Sequence, residues 1–320
     1  MVYQQMADEL RNDLRAPNFM LIGASKAGTT SLYHHLRAHP GIYMSAIKEP
    51  QFFSDEAHYA RGLDYYVRKF FPDAEGFKLR GEASPRYLHV PETVIPKLQS
   101  AYGDRPPLFL VMLRHPVMRA WSHYRHRNRV REDERSFFEA ISQEQAEGFP
   151  NPTGYAAASF YARQLAPWIE AFGAERFHVM RLEDMEDDLQ GVLDGIWPFL
   201  GVDTPDAAIE ESRHNVAATP RSAMLMRLIS GQGLHKRLIR RLLPDKALRR
   251  RLMTYMQNFN VKPESEGALP DPRSTRLLLD MFKDDTTALQ DLIGRPLDDW
   301  LAPPALRTGK KPAKVFVGVR

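Results

Sequence analysis

Asn18-Phe-Met-Leu-Ile-Gly-Ala-Ser-Lys-Ala-Gly-Thr-Thr-Ser31 is the stretch whose reading decides the fold. A short apolar run closed by glycine reads as a buried strand, and the residues from Thr29 to Ala38 then take helical spacing. The glycines between them allow left-handed backbone and close approach, while the start of a helix offers unpaired amides at its positive dipole end. Lys26 adds a mobile charge, and Thr29, Thr30 and Ser31 add hydroxyl donors. The composition suits a phosphate cradle, although an ordinary strand-to-helix turn capped by threonine has the same ingredients. It is not a Walker A loop, because the lysine precedes the second glycine and no Gly-Lys-Ser/Thr closes it.

Working outward, the strand signal returns at 77–81, 108–113 and 177–182, with a short apolar run at 42–44. The three longer runs are each followed by a helical pattern, at 92–102, 117–129 and 184–200. The spacing predicts further helices over 155–172, 221–228, 237–242, 247–257 and 273–292, with a Pro/Gly/Glu-rich loop at 263–272. Alternating strands and helices predict an α/β fold: a P-loop-like, mostly parallel central sheet flanked by helices, with a helical second half. The expected organisation is an N-terminal extension over 1–17, one domain over 18–301 and a basic flexible tail over 302–320. Ligands of such sheets bind at the carboxyl ends of the strands.

The second strand-to-helix junction reads Arg114-His-Pro-Val-Met-Arg119-Ala-Trp-Ser122-His-Tyr124. Pro116 suits a first helical turn, where its missing N–H is no loss. Arg114 sits where a guanidinium can grip a phosphate with two parallel hydrogen bonds. Ser122, slightly over two helical turns later, projects to roughly the same side. A P-loop NTPase would end such a strand in an aspartate that holds Mg²⁺. An arginine there points instead to a metal-free donor with two separated phosphates.

These residues resemble the PAPS-dependent sulfotransferases (PAPS is 3′-phosphoadenosine-5′-phosphosulfate), especially the branch with the heparan sulfate N- and 3-O-sulfotransferases and their bacterial relatives. In that family a loop of the form G-x-x-K-x-G-T-T/R-S binds the 5′-phosphosulfate, and R-x-P-x-x-R-x-x-S-x-Y binds the 3′-phosphate. Gly294-Arg-Pro-Leu-Asp-Asp-Trp300 is similar to the family's closing segment. The resemblance implies that Lys26, Ala27, Gly28, Thr29, Thr30 and Ser31 cradle the 5′ end, and that Arg114 and Ser122 hold the 3′-phosphate. His214-Asn-Val-Ala-Ala-Thr-Pro-Arg221-Ser is similar to a late nucleotide-covering loop, which implies Arg221 as a further contact.

Lys48-Glu49-Pro-Gln-Phe-Phe53 resembles the E-x-x-F-F segment whose glutamate is the family's catalytic base. Taken alone, Lys48-Glu49 is also what a solvated surface pair looks like. An acceptor hydroxyl is a poor nucleophile, so a positioned carboxylate that takes its proton has a task here. Lys26 and Lys48 would neutralise charge on the transferred and leaving groups. One departure stands out: Gly81-Glu-Ala83-Ser-Pro-Arg86-Tyr87 has alanine where the heparan sulfate enzymes carry an assisting lysine. That loop borders the acceptor cleft in the family, which implies Arg86, with Glu49, as acceptor contacts; His123, next to Ser122, is placed to flank either the nucleotide or the acceptor.

The remaining features set the setting. The chain has 320 residues, no cysteine and a net charge of +4, so bulk charge does not argue for nucleic acid, and the lack of thiols fits a cytoplasmic protein. The N-terminus is polar and mixed in charge, unlike a signal peptide, and no apolar run is long enough to cross a bilayer. His35 and His39 share a helical face without a visible third ligand, so no metal is expected. Tyr155, Tyr161 and Trp168 read as packing residues. Between Lys236 and Arg251 eight basic residues face one acid, a pattern open to an anionic membrane, an anionic acceptor or plain solvent. The expected activity is sulfuryl transfer from PAPS to a hydroxyl or amine of a glycan or other small metabolite. The rivals are a kinase of related fold and a non-catalytic polyanion- or membrane-binding protein.

Overall fold

The apolar run before the glycine loop forms β1 (Phe19–Gly23), and every residue of it is buried. The computed structural model describes residues 15–128, 133–205 and 269–305, with the backbone of β6 (Ala218–Pro220) and β7 (Val261–Pro263). Arg221, the basic segment 236–251, the three helices expected between 221 and 257, and most of both termini lie outside the described residues.

β1 is the centre of a five-stranded, all-parallel sheet with β2 (Ile42–Met44), β3 (Leu79–Ala83), β4 (Leu108–Leu113) and β5 (Phe177–Arg181), in the order β2-β3-β1-β4-β5. Buried parallel strands need apolar residues on both faces. β4, Leu-Phe-Leu-Val-Met-Leu, has them, and from Phe109 onward it is almost fully buried. Each such side chain contributes about 1.5–3 kcal/mol of burial. Helices α1 (Thr29–Ala38), α2 (Glu56–Tyr59), α3 (Gly62–Phe70), α4 (Pro91–Tyr102) and α5 (Pro116–Asn128) come from the first part of the chain. After them come α6 (Phe137–Ala146), α7 (Tyr161–Phe172), α8 (Leu182–Asp187), α9 (Leu189–Leu200) and α10 (Pro272–Ile293). β6 and β7 pair antiparallel, apart from the main sheet. A smaller core, with Val117, Phe137, Ile141, Leu278 and Phe282, joins α5, α6 and α10.

The fold class is as expected, but three elements differ. The helix expected over 155–172 begins only at Tyr161, because the amides of Tyr155 and Ala156 go to the Glu144 carboxylate at 2.5 and 2.7 Å. Those of Ala162 and Arg163 go to Asp285, both at 3.0 Å, so α7 starts as a separate helix. The helix expected over 184–200 is two, α8 and α9, divided at Asp188, whose side chain caps α9 at Gly191. The strand expected over 77–81 runs instead from Leu79 through Ala83, so it includes Glu82.

Glu82 can sit inside a strand because it is hydrogen-bonded by the Tyr66 hydroxyl, with the Tyr87 and Ser84 hydroxyls nearby. Full burial pushes its carboxyl up to about 7, against those hydrogen bonds. A raised value in the folded state means that the proton's contribution to stability is full below about 4.5 and is lost as pH rises through about 7. Removing the titration with Glu82→Gln should therefore shift the unfolding free energy, relative to wild type, by about 2–3 kcal/mol in favour of the variant on going from about pH 5 to about pH 8. Urea unfolding of both proteins checks this as a difference, in which the buried histidines cancel. Parallel pH curves would count against it.

Candidate active site

Because β3, β1 and β4 are adjacent and parallel, their carboxyl ends meet at one edge. The chain leaves β1 towards β2 and β3 on one side and later places β4 on the other, so the switch point of the sheet lies between β1 and β4. The loop after β1 and the junction after β4 flank that point. Arg114 Nη1 donates to the Lys26 carbonyl at 3.4 Å, so the two segments singled out in the sequence touch.

In the first loop, Gly28 caps α1 with φ 83°, and no side chain caps the helix. The loop shape needs glycine there twice over: a Cβ would meet Leu182 Cδ1 at 2.5 Å as well as the left-handed backbone. Lys26 is itself left-handed, with φ 72°. Ala27 and Thr29 are buried; Lys26, Gly28, Thr30 and Ser31 are half-buried. Ser31 Oγ lies 3.4 Å from His35 Nε2. His39 is engaged elsewhere, by the Asp203 carbonyl and the Gly41 amide, so the two histidines serve separate structural contacts.

In the second segment, the Arg114 carbonyl accepts from the Tyr161 hydroxyl at 2.9 Å, and the His115 amide donates to Glu183 at 2.8 Å. Arg119, the second arginine of the quoted motif, is wholly buried. Its Nε donates to Ser159 Oγ at 2.5 Å and its Nη2 to the Tyr155 carbonyl, which ties α5 to the turn before α7. Ser122 is half-buried on α5. Beside it His123 packs edge-on to Tyr155, ring centroids 5.1 Å apart. Burial, followed by the charges of Arg119, Lys26 and Arg127, pushes its imidazole down to about 2. Charges from both segments thus act on one neutral ring. Concentrated positive charge beside the uncapped start of α1 is what a polyphosphorylated ligand requires.

The third segment leaves β2 and runs over the end of β3. Glu49 and Gln51 are left-handed, with φ 59° and 50°. Such backbone costs about 1–3 kcal/mol per residue and persists only where its surroundings hold it. Here the Glu49 amide donates to the Ala83 carbonyl at 3.0 Å, Gln51 to Ser84 Oγ at 3.0 Å and Phe53 to the Tyr87 hydroxyl at 3.1 Å. Phe52 and Phe53 are fully buried, with Phe52 stacked on Tyr66 at 4.5 Å. The Glu49 side chain stays 40% exposed and pairs with Lys48, which is 19% exposed. Gln51 Nε2 approaches its other oxygen at 3.4 Å. Ala83, at the position of the family lysine, is fully buried. Arg86 is exposed in the turn beyond it.

Sequence reasoning missed Gln51, Tyr161 and Glu82. Gln51 could have been found from its place two residues after Glu49. Tyr161 works through Arg114, 47 residues away, and Glu82 is held by Tyr66 from α3, so no local pattern marks them.

A family model for the sulfotransferase domain matches residues 16–224, more than half of the chain. The membrane-associated sulfotransferase kil1 of Dictyostelium discoideum is 37% identical over 110 residues, which is 34% of this chain and 22% of that protein. Heparan sulfate glucosamine 3-O-sulfotransferase 5 of Mus musculus is 30% identical over 176 residues, 51% of this chain and 47% of that protein. The chain therefore spans less than half the length of these curated relatives. The crystal structure of a sulfotransferase from Alicyclobacillus acidocaldarius superposes with a TM-score of 0.63 at 27% identity, covering 89% of this chain and 98% of that one.

The geometry of the first loop yields a direct test. Gly28→Ala meets both the left-handed backbone and Leu182, so thermal or urea unfolding should show a loss of about 1–3 kcal/mol. Unchanged stability would mean that the loop has another shape.

Proposed function

The chain belongs to the sulfotransferase-domain family, and from that premise we propose that it moves a sulfuryl group from PAPS to an acceptor hydroxyl or amine. The observation that carries this reading is the contact between Arg114 and the Lys26 carbonyl, which joins two anion-binding segments at the switch point. Lys26, the loop at Ala27 and the amides and hydroxyls from Gly28 to Ser31 would hold the 5′ end of the donor, and Arg114 and Ser122 its 3′-phosphate. The cationic surroundings of His123 fit a ligand with two anionic groups. When bound, PAPS supplies the sulfuryl group and leaves as PAP (3′,5′-diphosphoadenosine).

Glu49 takes the acceptor's proton. Its partial exposure lets it reach an acceptor, while its anchored backbone limits where the carboxylate can go. Lys48, in contact with Glu49, supplies the cationic help that Ala83 cannot, and Lys26 steadies the departing phosphate. Arg86 and His123 border the acceptor side, and one domain over 18–301 carries the reaction. The acceptor is a hydroxylated or aminated glycan or small metabolite.

Calorimetric titration should show PAP binding much more tightly than 5′-AMP, because a ligand without the 3′-phosphate leaves Arg114 and Ser122 without an anion. Arg114→Ala should weaken PAP by about 1.5–3 kcal/mol. Equal affinities for PAP and 5′-AMP would remove the second segment from the donor site. Glu49→Gln should leave PAP affinity nearly unchanged and cut turnover by ~10²-fold or more. Near-normal turnover would assign the base elsewhere. Lys48→Ala should also lower turnover; if it is silent while Glu49→Gln is not, Glu49 keeps its role and Lys48 loses its own.

A further inference from the structure

His89 lies outside every motif quoted above, in the short turn Tyr87–His89 after β3, and only 2% of its surface is exposed. Its Nε2 is 3.2 Å from the backbone nitrogen of Ser25, inside the first phosphate loop. Its Nδ1 is 2.8 Å from Gln164 Oε1 on α7. Gln164 Nε2 in turn donates to the Ala157 carbonyl at 2.8 Å. The direction of every hydrogen bond in this relay is fixed by its two ends. A backbone N–H can only donate, so Nε2 must be the acceptor and the ring proton must sit on Nδ1. A carbonyl can only accept, so the Gln164 amide is oriented with its oxygen towards that proton.

Gln164 has a neighbour with a parallel task. Tyr161 lies three residues earlier on the same helix, and residues so spaced share a face. Its hydroxyl holds the Arg114 carbonyl at 2.9 Å. One face of α7 therefore grips both donor segments: the first through His89 and the second directly. Asp285 of α10, accepting the amides of Ala162 and Arg163, fixes α7 in place.

We infer that His89 is a positioning residue: locked as the Nδ1–H tautomer by Gln164, it holds the Ser25 amide and so sets the shape of the first phosphate loop and its distance from the second. This rests on reading residues 26–31 as the 5′-phosphate site of the donor. The relay removes the Ser25 amide from the set available to a ligand, as the Ala24 carbonyl does that of Ala27 at 3.2 Å, and leaves those at the uncapped start of α1. It also supports the left-handed turn at the neighbouring Lys26. Burial, and then the charge of Arg119, holds the ring neutral, its value pushed down to about 3, so the acceptor nitrogen persists through the neutral range.

The test combines a direct readout with a selective one. Nitrogen-15 NMR of the wild-type protein, with the His89 signal assigned by difference from His89→Gln, should show one neutral Nδ1–H tautomer from about pH 5 to about pH 8. Calorimetry should show His89→Phe, which keeps the ring's bulk without the acceptor, weakening PAP about tenfold. The same variant should bind 3′-AMP, which engages only the second segment, with affinity within about twofold of wild type. His89→Gln, which can still accept from Ser25, should recover most of the PAP affinity. An Nε2–H tautomer, an unchanged PAP affinity in His89→Phe, or an equal loss for PAP and 3′-AMP would each overturn the inference. Should His89→Phe fail to fold, Gln164→Leu, which frees the tautomer, serves in its place, and the wild-type NMR result stands by itself. A wild-type protein that does not bind PAP would defeat the proposed function instead, while the tautomer measurement would still decide the relay.

Discussion

Backbone hydrogen bonding between β1 and its two neighbours is the constraint on which the rest depends. Parallel strands pair with evenly spaced, slanted bonds, and all end at the same edge. Here the bonding does not stop at the last strand residue. The amides of Ala24, Ser84 and Ser45, each just past its strand, donate to Met112, Leu21 and Gly81 at 2.6, 3.1 and 2.8 Å. Glu49 extends the series by donating to Ala83 at 3.0 Å. The loops therefore inherit the register of the sheet, and residues distant in sequence are delivered to one edge with little freedom.

That rigidity lets the protein hold costly backbone at the carboxyl edge of the sheet. Lys26, Glu49 and Gln51 are three of the four non-glycine residues with positive φ among the described residues; the other is Phe149. Each has a support within hydrogen-bonding reach or an adjacent aromatic anchor. Phe52 and Phe53 fix the end of the Glu49 loop in the core, against Tyr66 and Tyr87. Neutral histidines, His89 and His115 buried and His123 half-buried, serve as spacers around the cationic edge: desolvation pushes His115 down to about 4, His89 to about 3 and His123 to about 2. None of these three adds positive charge at neutral pH.

Two of the three places where sequence patterns misjudged an element depend on partners distant in sequence; the third, the division at Asp188, is a local cap. Carboxylates from remote helices took over amides that local periodicity assigned to a helix. Glu144 claims the amides of Tyr155 and Ala156, and Asp285 those of Ala162 and Arg163. The result is a break before α7, which frees Ser159 and the Tyr155 carbonyl to bind Arg119. Likewise β3 runs through Glu82 because Tyr66, from α3, supplies the hydrogen bond that a buried carboxyl needs. A window of neighbouring residues contains none of these partners.

The sequence by itself determined the α/β class, the loop of Gly23–Ser31 and the Arg114–Tyr124 segment, since glycine spacing, strand-like runs and turn chemistry are local properties. It also singled out Lys48 and Glu49 through the phenylalanines that follow them. Only the tertiary structure decided that the first two segments touch, that Arg119 is a buried strut, and that His89 accepts from the Ser25 amide of the first loop while a glutamine 75 residues away holds its other ring nitrogen. The physical reason is that a hydrogen bond depends on distance and direction in space. The parallel sheet, by bringing strand ends to one edge, sets which distant residues meet there.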